Sequence, residues 1–329
     1  MLDHGSERRL LDLWRRTGNG AARGGSIAIE ALTGDVSPRR YYRVTSGRAR
    51  AIAAIYPPDL RPVAARFRRT SDLLAGAGVR VPAILGVDEE SGLMLLEDVG
   101  TETLFAWRAR SWSALAPYLQ ASFAAARRVR QVDPEAVAAL LPPLDAAALE
   151  RELALTWDAF LLPHDLVAGE ALRRRLRDCL ESLCAALEAE GLVPCHRDFM
   201  ARNLVPLAGE LEVAVLDHQD LRLGPRAYDA ASLCNDSLYP PDETIGQLLG
   251  AELHHSAGYH RAVVQRTLKI VGTFASFARR GERRYLPLVA PSLARCLAHL
   301  AVLPEGETVA ADLRPAWSDA LSGRLRLLE

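Results

Sequence analysis

The hydrophobic period of this chain changes once, near residue 100, and that change narrows the folds open to it. Residues 2–16 put Leu10, Leu13 and Trp14 on one helical face, so a short helix leads. Residues 27–32, 40–44 and 50–56 then read as strands, the last stopped by Pro57 and Pro58. Residues 63–77 read as a helix closed by Gly76 and Gly78, and residues 81–87 and 93–96 as two more strands around a turn. From about residue 110 the pattern turns helical. Leu149, Leu153, Trp157 and Phe160 share one stripe, as do Leu172, Leu176, Leu180, Leu183 and Leu187. A single β signal interrupts this helical region, a hairpin of residues 203–205 and 211–216 around Ala208, Gly209 and Glu210. The expected fold is α+β and bilobal: a small antiparallel β lobe over residues 1–97, a hinge at 98–103, and a larger α-helical lobe over 104–329.

Forty basic against forty-one acidic side chains give a formal charge of -1. That balance offers no general reason to expect a nucleic-acid partner or a membrane surface. No apolar run reaches the roughly 18–20 residues of a membrane span, and residues 1–14 lack the pattern of a signal peptide. A cytoplasmic chain is expected. The five cysteines form no Cys-x-x-Cys pair, so neither a zinc site nor a disulfide framework is indicated. Of the forty basic side chains only Lys269 is a lysine, and any essential cation is therefore expected to be a guanidinium.

The chemistry is concentrated in Pro194-Cys-His196-Arg-Asp198-Phe-Met-Ala-Arg202-Asn203, followed by the hairpin and then Asp217-His-Gln219-Asp220. Phosphoryl transfer needs a carboxylate beside the attacking hydroxyl and oxygen ligands for magnesium. Asp198 and Asn203 lie in a short loop, and Asp217 ends the returning strand of the hairpin, a connection expected to bring Asn203 and Asp217 side by side. The pattern His196-x-Asp198-x4-Asn203, then an apolar strand ending in Asp217, resembles the catalytic core of the aminoglycoside phosphotransferase and choline kinase superfamily, which has the protein-kinase-like fold. The resemblance implies ATP and Mg2+, Asp198 as catalytic base, Asn203 and Asp217 as magnesium ligands, and His196 as a brace for the catalytic loop. It also implies that Asp229, in Gly224-Pro-Arg-Ala-Tyr-Asp229, bonds the backbone of that loop, and that Leu95-Leu96-Glu97-Asp98-Val99-Gly100 is the hinge receiving adenine through Glu97 and Val99, with Gly100 permitting a bend.

The stretch Gly34-Asp-Val-Ser37-Pro-Arg39-Arg40-Tyr41-Tyr-Arg43, together with Leu-Glu-Asp-Val-Gly and Asp-His-Gln-Asp, resembles the bacterial anomeric kinases of cell-wall recycling. These act with ATP on the C1 hydroxyl of N-acetylmuramate and N-acetylglucosamine. The chain departs from most kinases of this fold at two places: the third strand has no lysine, and the helix at 63–77 has no glutamate. Arg39, Arg40 or Arg43 is the expected replacement at the phosphates, with an exposed strand arginine as the competing reading for each. Gln219 and Asp220 either hydrogen-bond the acceptor or cap the next turn. Arg202 either meets a lactyl carboxylate or braces the loop. His254, His255 and His260 read as surface histidines rather than a metal site. Three functions stay open: a sugar 1-kinase, a kinase of another hydroxyl compound such as an aminoglycoside or an amino alcohol, and a nucleotide-binding pseudokinase.

Overall fold

A computed structural model describes residues 3–17, 26–32, 38–207 and 209–324. The turn at 33–37, with Ser37 of the arginine-rich motif, and the hairpin residue Ala208 lie outside them. The chain forms two compact units, Met1–Glu102 with Val205–Asp220, and Thr103–Leu204 with Leu221–Glu329.

The first unit is built on a five-stranded antiparallel sheet, β1 (Ala28–Leu32), β2 (Arg40–Ser46), β3 (Ala49–Ile55), β4 (Ile84–Asp88) and β5 (Leu93–Glu97), in the order β1-β2-β3-β5-β4. Strand alternation sorts its side chains into two cores. Tyr42, Val44, Ala51, Ala53 and Leu95 meet helix α1 (His4–Arg16) through Leu10, Leu13 and Trp14. Ala54, Met94 and Leu96 pack on the other face with Phe67 of helix α2 (Arg61–Gly76). The same alternation separates the three arginines of the motif: Arg40 is exposed, whereas Arg39 and Arg43 are partly buried.

The second unit contains α3 (Trp112–Val129), α4 (Pro134–Ala138), α5 (Ala146–Thr156), α6 (Glu170–Ala189), α7 (Tyr228–Asn235), α8 (Asp242–Leu249), α9 (Ala251–His254), α10 (Ala257–Arg279), α11 (Val289–Leu300), α12 (Glu307–Ala316) and α13 (Ser318–Leu321). Helix α10 is its axis, packed on α5, α6, α7 and α11. It is buried over most of its length, with Gln265, Arg266 and Thr267 among the buried residues. Its approach to α5 depends on Gly272, where a Cβ would lie 2.5 Å from Thr156 Oγ1 and 2.6 Å from its backbone nitrogen. The Thr156 hydroxyl donates to the Leu268 carbonyl at 2.7 Å and fixes the two helices in register.

Two features differ from the sequence reading. Strands β6 (Leu192–Cys195) and β9 (Arg222–Pro225) pair into a second small sheet that the period did not reveal. Each has four residues, and Pro194, Gly224 and Pro225 break any alternation. The hairpin of β7 (Leu204–Pro206) and β8 (Val213–Val215) was expected in the helical lobe, yet the segment Val205–Asp220 belongs to the first unit. The Val215 amide donates to the Arg80 carbonyl at 2.8 Å, and residues 218–220 pack on α2.

Candidate functional site

In the second unit the loop from β6 to β7 carries His196, Asp198, Arg202 and Asn203. Its shape is set by Asp229, at the start of the buried helix α7. The Asp229 carboxylate accepts from the His196 amide at 2.8 Å, the Arg197 amide at 3.0 Å and the Cys195 thiol at 3.1 Å. Arg197 has φ +77°, a left-handed conformation that costs a non-glycine residue about 1–3 kcal/mol. Two charge-assisted bonds to successive amides at that point offset the strain. His196 is fully buried, edge-on to Phe199. Asn203 donates its amide nitrogen to the Asp198 carbonyl at 2.9 Å, which leaves the amide oxygen for a cation.

Asp198 stands among cations. Arg266 Nη1 lies 2.8 Å from Asp198 Oδ1 and Lys269 Nζ lies 3.4 Å from the same oxygen, while Arg197 is 3.7 Å from Oδ2. Burial alone would raise the Asp198 carboxyl. The three cations outweigh that effect and hold it well below the usual carboxylate range. Lys269 answers in the other sense: burial and the neighbouring Arg266 push its ammonium down, against the pull of Asp198 and Glu152. Arg266, with a side chain only 1% exposed, is the keystone. It also donates to the Arg197 carbonyl at 3.1 Å and to the buried Asp236 at 2.9 Å.

Arg202 reaches Asp236 at 3.4 Å and lies over the rings of Tyr285 and Phe274, at 4.9 and 5.5 Å from their centroids. Its Nε and Nη1 are buried with no hydrogen-bond partner among the described residues. A guanidinium with two unpartnered nitrogens has the donors that a carboxylate could use.

In the first unit Asp217 follows β8 with φ +57°, again a strained backbone position. Its Oδ1 accepts from Arg39 Nη2 at 2.8 Å and from the Gln219 amide at 3.0 Å, which leaves Oδ2 for a cation. His218 is buried, stacked on Phe67 and hydrogen-bonded to Thr70 at 2.8 Å. Arg66 donates to the Gln219 carbonyl and pairs with Asp220. Helix α2, which has no glutamate, thus holds residues 218–220 through Phe67, Thr70 and Arg66. The Gln219 amide nitrogen is engaged by Asp217, and the Asp220 carboxylate by Arg66 of α2.

The segment expected to be the hinge is held from the sheet. Arg43 on β2 donates to Asp98 at 2.8 Å, and Asp98 accepts from the Gly100 amide at 3.2 Å. Gly100 has φ +140°, where a side chain is strained, and a Cβ would lie 3.1 Å from Val205. Arg80 clasps Glu97 at 2.9 and 2.5 Å, so Glu97 is secured by its side chain and Val99 follows it in the hinge. Of the three arginines nominated for the phosphates, Arg39 is bound to Asp217, Arg43 to the hinge, and Arg40 is exposed.

Of the three histidines read as surface residues, His255 is exposed, His260 is half-buried and His254 is buried. His254 is buried and 3.0 Å from Asp242, while His260 and His299 share a hydrogen bond of 2.7 Å. Among the described residues no cluster of three His, Cys, Asp or Glu could hold a metal. All five cysteines are free and buried. Sequence reasoning missed Glu152, Asp236, Arg266 and Lys269. An arginine and a lysine three apart inside the apolar run of α10 were the available signal.

Residues 28–263 match the family model described as "Phosphotransferase enzyme family". The N-acetylmuramate/N-acetylglucosamine kinase of Pseudomonas aeruginosa is 37% identical over 276 residues, covering 77% of this chain and 78% of that protein. The protein of the same name from Pseudomonas putida is 32% identical over 302 residues, 85% of each chain. Among solved structures, Plasmodium vivax ethanolamine kinase aligns with a TM-score of 0.61 at 13% identity, over 93% of this chain and 91% of its own. The GDP complex of aminoglycoside 2'-phosphotransferase-IIIa aligns with a TM-score of 0.59 at 14% identity, over 93% and 98%. These two likenesses establish the fold.

Proposed function

The chain belongs to the phosphotransferase enzyme family, and from that premise we propose that it is a small-molecule kinase that phosphorylates the C1 hydroxyl of N-acetylmuramate and N-acetylglucosamine at the expense of ATP. The observation that carries the chemistry is Asp198, held by its Oδ1 on Arg266 in a loop whose backbone is clamped by Asp229. Its other oxygen is the one left to take the acceptor's proton. A carboxylate this acidic stays ionised at neutral pH, and phosphoryl transfer asks mainly for orientation of the nucleophile, so a weak base serves. The acceptor class comes from the relatives of the same name.

The donor chemistry of the chain fits magnesium. Asn203 has an amide oxygen to offer and Asp217 a carboxylate oxygen, hard ligands of the kind that hold Mg2+ together with substrate phosphates. When bound, the ion offsets charge on the phosphates. Arg39 would keep Asp217 in place for that role, and the hinge at Glu97 and Val99 would receive adenine. Arg202 supplies the acceptor with a cation suited to the lactyl carboxylate of N-acetylmuramate. The buried free thiols are the cysteine usage of a cytoplasmic chain.

The test is ATP consumption with magnesium across N-acetylmuramate, N-acetylglucosamine, other hexoses, aminoglycosides and choline. Turnover confined to the N-acetylated sugars, with phosphate on C1, is expected. Turnover on aminoglycosides or choline instead would replace the acceptor assignment, and ATP binding without any turnover would favour a pseudokinase.

A further inference from the structure

We propose that Lys269 is a catalytic residue whose ammonium group donates to the phosphoryl group in transfer while paired with Asp198. The inference rests on the kinase reading. Three observations lead to it. Every cationic side chain of the forty except this one is an arginine, and the exception stands 3.4 Å from the carboxylate that meets the nucleophile. Helix α10 sends two cations to the same oxygen of Asp198, and they differ in placement. Arg266 is 1% exposed, bonds at 2.8 Å and is committed to Arg197 and Asp236 as well; Lys269 is 15% exposed and bonds at the longer distance. Arg266 is the buried anchor of the carboxylate, and Lys269 is the more exposed of its two cations on α10. Third, the candidates for phosphate charge in the motif at 39–43 are engaged by Asp217 and the hinge, or are exposed.

The geometry explains the residue type. Oδ1 already carries a guanidinium, and a second planar fork would have to share that oxygen with it. An ammonium is compact, with three donors that rotate freely. One N–H can keep the bond to Asp198 while another turns to a phosphoryl oxygen. In the step itself, the acceptor oxygen bonds to the γ-phosphorus as the bond from that phosphorus to the β,γ-bridging oxygen breaks. The electron pair of the broken bond leaves with ADP, and the hydroxyl proton passes to Asp198 Oδ2. Lys269 gives up no proton; it offsets negative charge where the transfer occurs, in a site where a fixed donor is worth more than in water.

A single lysine makes the test direct. Protein grown on lysine labelled with 13C at Cε has one lysine resonance. That resonance should move when aluminium fluoride, a mimic of the phosphoryl group in transfer, is added to the wild-type protein with magnesium and ADP. The same spectrum with and without aluminium fluoride would overturn the assignment. In kinetics, Lys269→Arg keeps the charge and should still lose about 100-fold or more in kcat, the scale of removing one transition-state donor, with ATP affinity retained. Turnover by Lys269→Arg close to wild type would also overturn it. Wild-type inactivity on every amino sugar would count against the acceptor reading alone, because the spectral comparison needs no acceptor.

Discussion

Charged side chains are used in two different ways in the two units. In the first they come in matched pairs: Arg39 with Asp217, Arg43 with Asp98, Arg66 with Asp220 and Arg80 with Glu97. Each pair fixes one piece of backbone, the hinge or the segment after β8, and cancels its own charge. In the second unit Arg197, Arg202, Arg266 and Lys269 surround Glu152, Asp198 and Asp236 in one connected network. Among these named side chains four cations face three carboxylates, an excess of one positive charge. Pairing makes a frame; an unbalanced network makes a receptor for anions.

The difference can be broken most severely at Arg266. Arg266→Met leaves Asp198 and Asp236 without their shared cation, and removal of one partner from a buried ionic set costs about 3–5 kcal/mol. Urea unfolding should show that loss, whereas Arg66→Met in the first unit, more exposed and singly paired, should cost about 1 kcal/mol or less. Equal losses would erase the distinction between frame and network. Arg202→Met sharpens the comparison by specificity. Loss of a charged hydrogen bond to the lactyl carboxylate, about 1.5–3 kcal/mol, should raise KM for N-acetylmuramate roughly 10-fold or more and leave N-acetylglucosamine nearly unchanged. A parallel loss on both sugars would reduce Arg202 to a loop brace. Arg39→Met releases Asp217 from its partner, and the magnesium concentration for half-maximal rate should change a few-fold, on the order of 1 kcal/mol. No change would detach Arg39 from the metal.

A last effect concerns pH. The pKa values of Asp198, Asp236 and Glu152 are all depressed: burial opposes this, and their cationic neighbours outweigh it. A depressed carboxyl contributes stability that is present above its unfolded value, here 3.8 for Asp and 4.5 for Glu, and is lost as pH falls through the folded value. Unfolding measured from pH 8 to 6 should therefore be flat in this respect. Below about 4.5 stability should fall by up to about 1.4 kcal/mol per pH unit per group. A decline attributable to these carboxylates already at pH 6 would contradict the network.

Much of this was legible in the sequence because local rules act locally. Alternation over short runs gave the strands of the first sheet, and the spacing of His196, Asp198 and Asn203 gave the loop. Strands β6 and β9 were not legible, since four residues with prolines carry no period. The partners of Asp198 were not legible for another reason. Arg266 and Lys269 lie 68 and 71 residues away from Asp198 in sequence, and only tertiary packing of α10, through Gly272, brings them to it. The role proposed for Lys269 runs against the expectation that every essential cation is an arginine.

The central claim is that Asp198 orients the acceptor and takes its proton. It is tested most directly by comparing kcat for Asp198→Asn and the wild-type chain on N-acetylglucosamine, with ATP binding measured alongside. The account predicts a fall in kcat of about 10²–10⁴-fold with nucleotide binding retained; turnover near the wild-type rate would contradict it.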